Sequence, residues 1–407
     1  MTQIPPPLAG LRILECSILG PAAVTTHLAD LGAEVIKVEP PGGDYVRGMA
    51  WPIVEGVSLM HLHLNRGKRS VVLDLRTPEG AAAFTALAAR SDVVVEAMRP
   101  GGLARRGLGF ETLRAVNPRL VFATISGFGT SGPLRDLASH GIAFDTWAGL
   151  ITPEPDADGF PSIPDHTSIG ITAGPLFGAL GILAAVLRAR ETGAGSRVEV
   201  AQSDAAAAFD WLRIEGWRAY RRPENEVTGN AADGLRRRAP GTGGMRESVR
   251  YQVYATRDGH VLLMASENTF WRNFAHTVGR PDLIDENDRQ EIANHAVGNV
   301  ALRRELTKLF AERDTWEWVE LGVTANVPLA PVNTPQTVGD DPQFTARLPW
   351  TDVERTGTEM MPNPIRFPDE PAVQPTRAPT LGADTEAVLR DVAGYTEAQI
   401  AALRGTP

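Results

Sequence analysis

Three side chains of this chain stand where acid–base or nucleophilic chemistry could be done: His140, Asp165 and Glu267. His140 follows Ala138-Ser139 and precedes an apolar segment. An imidazole there can take up a proton or serve as a hydrogen-bonded structural residue. Asp165 lies in Pro164-Asp165-His166-Thr167-Ser168, just ahead of the Gly-rich run from Gly170 to Gly174 and at the mouth of a long apolar helix. Asp after Pro is also ordinary turn chemistry. Glu267 follows an apolar strand ending at Ala265, where partial burial would raise its proton affinity. The same position suits a partner for the N-terminus of the next helix.

Basic residues gather in two places that an anionic ligand could use. Asn65-Arg66-Gly67-Lys68-Arg69 precedes a strand, and Arg99, Arg105 and Arg106 flank Pro100-Gly101-Gly102. A solvated charged rim is the alternative reading. Arg236-Arg237-Arg238 reads as a solvated loop. Gly20-Pro21, at the first strand–helix junction, is a weak phosphate signal, because any helix start attracts anions. No Walker sequence occurs, and neither Gly101-Gly102 nor Gly241 to Gly244 follows a strand and opens a helix as a dinucleotide fingerprint would. His61-Leu62-His63 would put two imidazoles on one face of an extended segment. With no third ligand beside them, no metal is predicted.

Composition narrows the class. The chain has 407 residues, 43% of them hydrophobic, a net charge of −9 and a pI near 5.5. That is enough for a large core and two or three domains, and it argues against nucleic acid and anionic membranes as partners. Cys16 is the one cysteine. No intramolecular disulfide can form, which fits a cytoplasmic protein. The longest apolar stretch, Leu176 to Leu187, is too short to span a bilayer.

The elements that must position these residues alternate strand and helix through the first 200 positions. Strands are expected at Arg12–Cys16, Glu34–Val38, Ser70–Leu75, Asp92–Val95, Leu120–Ile125 and Arg197–Ala201. Helices are expected from Gly20-Pro21 to Leu31, from Pro78 to Arg90 and from Ala173 to Arg190. This is the pattern of βαβ units on a parallel sheet, where ligands bind outside the carboxyl ends of the strands. Asp258-Gly259, between alternating runs, predicts a hairpin, with helices near 268–279, 300–312 and 314–322. The fold class is therefore α/β, a Rossmann-like large domain with a parallel sheet plus a smaller α+β domain. The expected boundaries are 1–224, 225–330 and a C-terminal tail, 331–407, that returns to the large domain and ends in a helix from Asp384 to Leu403.

The chain resembles the family III CoA transferases, with the α-methylacyl-CoA racemases and carnitine-type CoA transferases. The resemblance runs nearly end to end. It is carried by Leu8 to Glu15 with Gly20-Pro21, by Leu28 to Pro40 (the most specific stretch), by Asn65 to Ser70, and by Arg99-Pro100-Gly101. Leu108-Gly109, Ser126 to Gly129, Gly181 to Ala185, Thr192-Gly193, Asn363-Pro364 and Ala378 to Gly382 continue it. It implies an interlocked homodimer with coenzyme A thioesters on the large domain, where Arg105 matches a family CoA contact by position; Lys37, Arg66, Lys68 and Arg99 are expected with it as the CoA-binding set. Position 97, Asn in some relatives, is Ala97.

Transferases of this family attack the thioester with an Asp, a nucleophilic carboxylate. Its position falls at Gly170, or one residue along at Ile171. Three expectations follow. In the first, Asp165 stands in as nucleophile of a CoA transfer between an acyl-CoA and a carboxylic acid. In the second, His140 held by Glu267 removes an α proton, as in the racemases. In the third, the chain binds CoA thioesters as a catalytically altered subunit, in a hetero-oligomer with a related chain.

Overall fold

The structure is a computed structural model describing residues 4–49, 51–229, 234–237, 245–285 and 293–404. Gly241 to Gly244 and Arg238 lie outside the described residues.

Six strands form the main sheet: β1 Arg12–Ser17, β2 Glu34–Glu39, β3 Arg69–Val72, β4 Val93–Ala97, β5 Val121–Ser126 and β6 Arg197–Ala201. They run in the order β6-β5-β4-β1-β2-β3, and every neighbouring pair is parallel. This is the doubly wound order, with its switch point between β1 and β4. Strands covered on both faces read as continuous apolar runs, as in Val93-Val94-Val95, where each residue is fully buried.

Helices on both faces supply the two cores. Phe84 and Leu87 of the helix Pro78–Ala88 pack on one face with Val388 and Leu389 of the returning tail. Ile182, Val186 and Ala189 of the 23-residue helix Gly170–Thr192 pack on the other. That helix is long and apolar enough to cross a membrane, longer than the apolar run within it, but half of its apolar window is buried against the protein.

Two compact units emerge, Met1–Trp211 with Leu348–Pro407, and Leu212–Arg347. The first break falls at 211, where 224 was expected, at the start of the helix Trp211–Ala219. The tail rejoins the first unit at 348 rather than 331. The expected terminal helix is two, Thr385–Asp391 and Glu397–Arg404, parted at Gly394 with φ 74°. The second unit is α+β. Tyr251–Ala255 and His260–Met264 form the expected hairpin, joined by Leu329–Pro331. Trp271, Phe274, Phe310 and Trp318 fill its core.

His61 and His63 are not on an extended segment. They sit in the helix Leu59–Asn65, capped by Ser58, whose hydroxyl accepts the N–H of His61. Two positions apart on a helix point in different directions. Burial, reinforced by nearby cations, holds both imidazoles neutral down to about pH 4. In the unfolded chain they take protons near pH 6.5. The unfolded state thus binds more protons between these values. The stabilisation is complete above pH 6.5 and is lost as the pH falls toward 4. Urea unfolding should show a fall of the order of a few kcal/mol across this window, and a His61→Gln, His63→Gln double variant should show a flatter profile. A double variant with the parent's pH dependence would contradict this.

Candidate active site

β1 ends at Ser17, and the chain turns sharply. Leu19 takes φ 57°, a left-handed value for a branched side chain, just before the turn Gly20–Ala22 and the helix Ala23–Ala29. Such strain persists only where the surroundings fix it. Here the surroundings are a buried ionic cluster. Glu15 on β1 and Lys37 on β2 are direct register partners. Lys37 Nζ lies 3.0 Å from Asp44 and 3.6 Å from Glu15, and donates to the Ser17 carbonyl at 2.7 Å. Lys68 Nζ lies 2.9 Å from Glu15 and donates to the Ala22 carbonyl at 2.9 Å. The two ammoniums thus hold both ends of the turn.

This placement answers the expectation that Lys37, Arg66 and Lys68 contact CoA. All three are buried with carboxylates. Arg66 holds Asp30 through two bonds, at 3.1 and 2.6 Å. Lys37 and Lys68 pair with carboxylates under the turn, and Arg66 pairs with Asp30 at the end of the helix Ala23–Ala29.

Arg99 and Arg105 are placed differently. Both are exposed and line a cleft of about 760 Å³. The cleft opens at the carboxyl ends of β1, β4 and β5, bounded by Ile18, Ala97 and Ser126. This is the switch-point crevice where such sheets bind ligands. Glu96 shapes its basic side: buried, with its proton affinity raised by burial, it accepts the N–H of Leu103 at 2.6 Å and fixes the loop that carries the two arginines.

His140 also lines the cleft and is exposed. Glu267 belongs to the second unit. It is exposed rather than half-buried, at the N-cap of the helix Asn268–Thr277, with no side-chain capping bond. Asp165 is exposed and is not among the residues lining the cleft.

The start of the helix Gly170–Thr192 is closely packed. A Cβ built on Gly170 would lie 2.8 Å from Phe144 Cβ and 3.1 Å from the Gln202 carbonyl oxygen. Position 170 therefore has no room for a side chain as the protein stands. Beneath it, fully buried Asp145 accepts the Gly170 N–H at 2.8 Å through Oδ1. Its other oxygen, Oδ2, has no hydrogen bond and lies 3.6 Å from His166 Nε2. Sequence reasoning missed Asp145. Its only signal was a carboxylate between Phe144 and Thr146 in an otherwise apolar helix, Ala143–Trp147. Gln202, whose buried Oε1 also lacks a hydrogen bond, lines the cleft beside it.

Residues 8–385 match the family described as CoA-transferase family III. The chain belongs to that family. Among family III relatives, the succinate–glutarate CoA-transferase of Agrobacterium fabrum is 31% identical over 96% of this chain and 98% of its own length. The succinyl-CoA–D-citramalate CoA-transferase of Chloroflexus aurantiacus is 33% identical, over 99% of this chain and 98% of its own. Among solved structures, Rv3272 of Mycobacterium tuberculosis superposes with a TM-score of 0.75 at 27% identity, covering 94% of this chain and 99% of that one. A CAIB/BAIF family protein from Brucella suis gives 0.73 at 30% identity, covering 96% and 100%.

Proposed function

We propose that this protein moves CoA between an acyl-CoA and a carboxylic acid within a ternary complex, the acid's own carboxylate attacking the thioester. One observation carries the reading: position 170 is a glycine packed too tightly for a side chain. Asp165, exposed and outside the cleft lining, gives no support for a stand-in nucleophile. The CoA thioester would occupy the cleft, with Arg99 and Arg105 toward its phosphates. The acid carboxylate and thioester would react through a mixed anhydride of the two substrates, and the enzyme would contribute orientation and exclusion of water. Initial rates against both substrates should give intersecting lines, and borohydride added with acyl-CoA should leave activity intact. Parallel lines with borohydride inactivation would point instead to an enzyme-bound acyl or CoA intermediate.

The α-proton reading retains one supporting observation, the position of His140 on the cleft wall. Deuterium wash-in at the α carbon, lost in His140→Ala, would favour it. We also propose self-association, supported by Leu176, Leu180 and Leu187, exposed along one side of the helix Gly170–Thr192, with exposed Phe209 of the next helix against Phe177 of the same helix. Exposed apolar surface of this kind marks interfaces.

A further inference from the structure

We propose that His166, oriented by Asp145, is a catalytic residue of this site whose imidazolium holds the CoA thiolate as the thioester opens. The inference rests on the ternary-complex reading above. In that reaction no enzyme side chain takes the acyl group, so the main demand on the protein is charge at the departing sulfur.

The geometry is that of a carboxylate-held imidazole. Asp145 is sealed from solvent, while the His166 side chain is 18% exposed. One Asp145 oxygen is fixed by the Gly170 N–H, and the other faces His166 Nε2 at 3.6 Å without a hydrogen bond of its own. A buried carboxylate oxygen needs a donor, and a modest turn of the ring supplies one. With Nε2 committed to Asp145, Nδ1 is the atom left for the substrate, the division of labour in other carboxylate-oriented histidines. Neither side chain of the pair lines the cleft itself; the pair adjoins it through Phe144, which precedes Asp145, and Ile171, which follows Gly170, both of which line it. It also adjoins the position where the nucleophile is missing. The other titratable groups on the elements packed here are Asp165 on the same loop, His140 on the segment before Asp145, and Asp204 on the helix Gln202–Phe209.

The step balances. The acid's carboxylate oxygen bonds to the thioester carbonyl carbon, the C–S bond breaks, and its electron pair leaves on sulfur. The His166 imidazolium holds that thiolate as an ion pair and keeps its proton. In the second half the thiolate attacks the acceptor carbonyl of the anhydride, and the first acid departs as its carboxylate. His166 is then the catalytic residue and Asp145 its positioning residue.

The test is titration of the thiol of CoA bound to the full-length protein, followed by thiolate ultraviolet absorbance. In the parent the bound thiol should ionise about tenfold more readily, roughly one pH unit below free CoA. His166→Asn should return it to the free value. Asp145→Asn, which keeps an acceptor for the Gly170 N–H, should move it part of the way, and it carries the test if His166→Asn does not fold. Asp165→Asn should titrate like the parent. A folded His166→Asn protein whose bound thiol titrates like the parent's overturns the proposal. The readout needs binding and not turnover. A thiol shift without CoA transfer would therefore overturn the transfer reading alone, and transfer with an unmoved thiol would overturn the His166 pair alone.

Discussion

Glu15→Gln is expected to lower the unfolding free energy by about 3–5 kcal/mol, the usual result of breaking a buried ion pair from one side. Glu15 is fully buried between two ammoniums. Burial pushes its carboxyl up, and Lys68 and Lys37 more than offset this, so it is held below the ordinary carboxylate value. Burial brings Lys68 down to about 8, despite the attraction of Glu15. Without that carboxylate the Lys68 charge has no opposite partner in direct contact and must be carried uncompensated or given up. Because Lys37 and Lys68 also hold the Ser17 and Ala22 carbonyls, the strained turn under the cleft should loosen as well. Urea unfolding checks this. Adding Lys68→Met to Glu15→Gln should recover part of the loss, since it removes the stranded charge. A Glu15→Gln loss under about 1 kcal/mol would place the pair in the class of weak surface bridges.

Gly170→Asp, which puts an aspartate where the family resemblance implies one, should fail to create a working nucleophile and should destabilise the fold. Its Cβ would meet Phe144 Cβ at 2.8 Å and the Gln202 carbonyl oxygen at 3.1 Å. Overpacking of this kind costs about 1–3 kcal/mol. The new carboxylate would also stand beside Asp145, whose Oδ1 already takes the Gly170 N–H, and two like charges in a buried site disfavour each other further. The expected results are a lower melting temperature and no borohydride-sensitive intermediate. A stable Gly170→Asp protein that acquires ping-pong kinetics would contradict the packing argument.

The sheet was readable because its strands are short β-branched and apolar runs, some interrupted by a charge, that alternate with helix signals, and the hairpin because Asp258-Gly259 sits between alternating segments. Lys37, Arg66 and Lys68 looked available for one physical reason. A lysine in a loop or strand looks available until its carboxylate is found, and the carboxylates here come from other elements. One clue was legible all the same. Glu15 and Lys37 each interrupt an apolar strand, Arg12–Ser17 and Glu34–Glu39, and such charges in a covered parallel sheet must pair with one another. The Asp145–His166 contact had no comparable clue. It joins residues 21 positions apart across a hairpin and a helix start, so only the tertiary fold could bring them together. The pairing of His140 with Glu267 came from the family resemblance, and Glu267 belongs to the other compact unit.

The most direct test of transfer without an enzyme nucleophile is a single turnover with acceptor acid labelled with oxygen-18 in its carboxylate. In a ternary complex the attacking oxygen bridges the anhydride and leaves on the released acid, so the first acid set free should carry the label. If that first acid is unlabelled and the label appears in the protein, a carboxylate of the enzyme has done the attack, and direct reaction between the two substrates is ruled out.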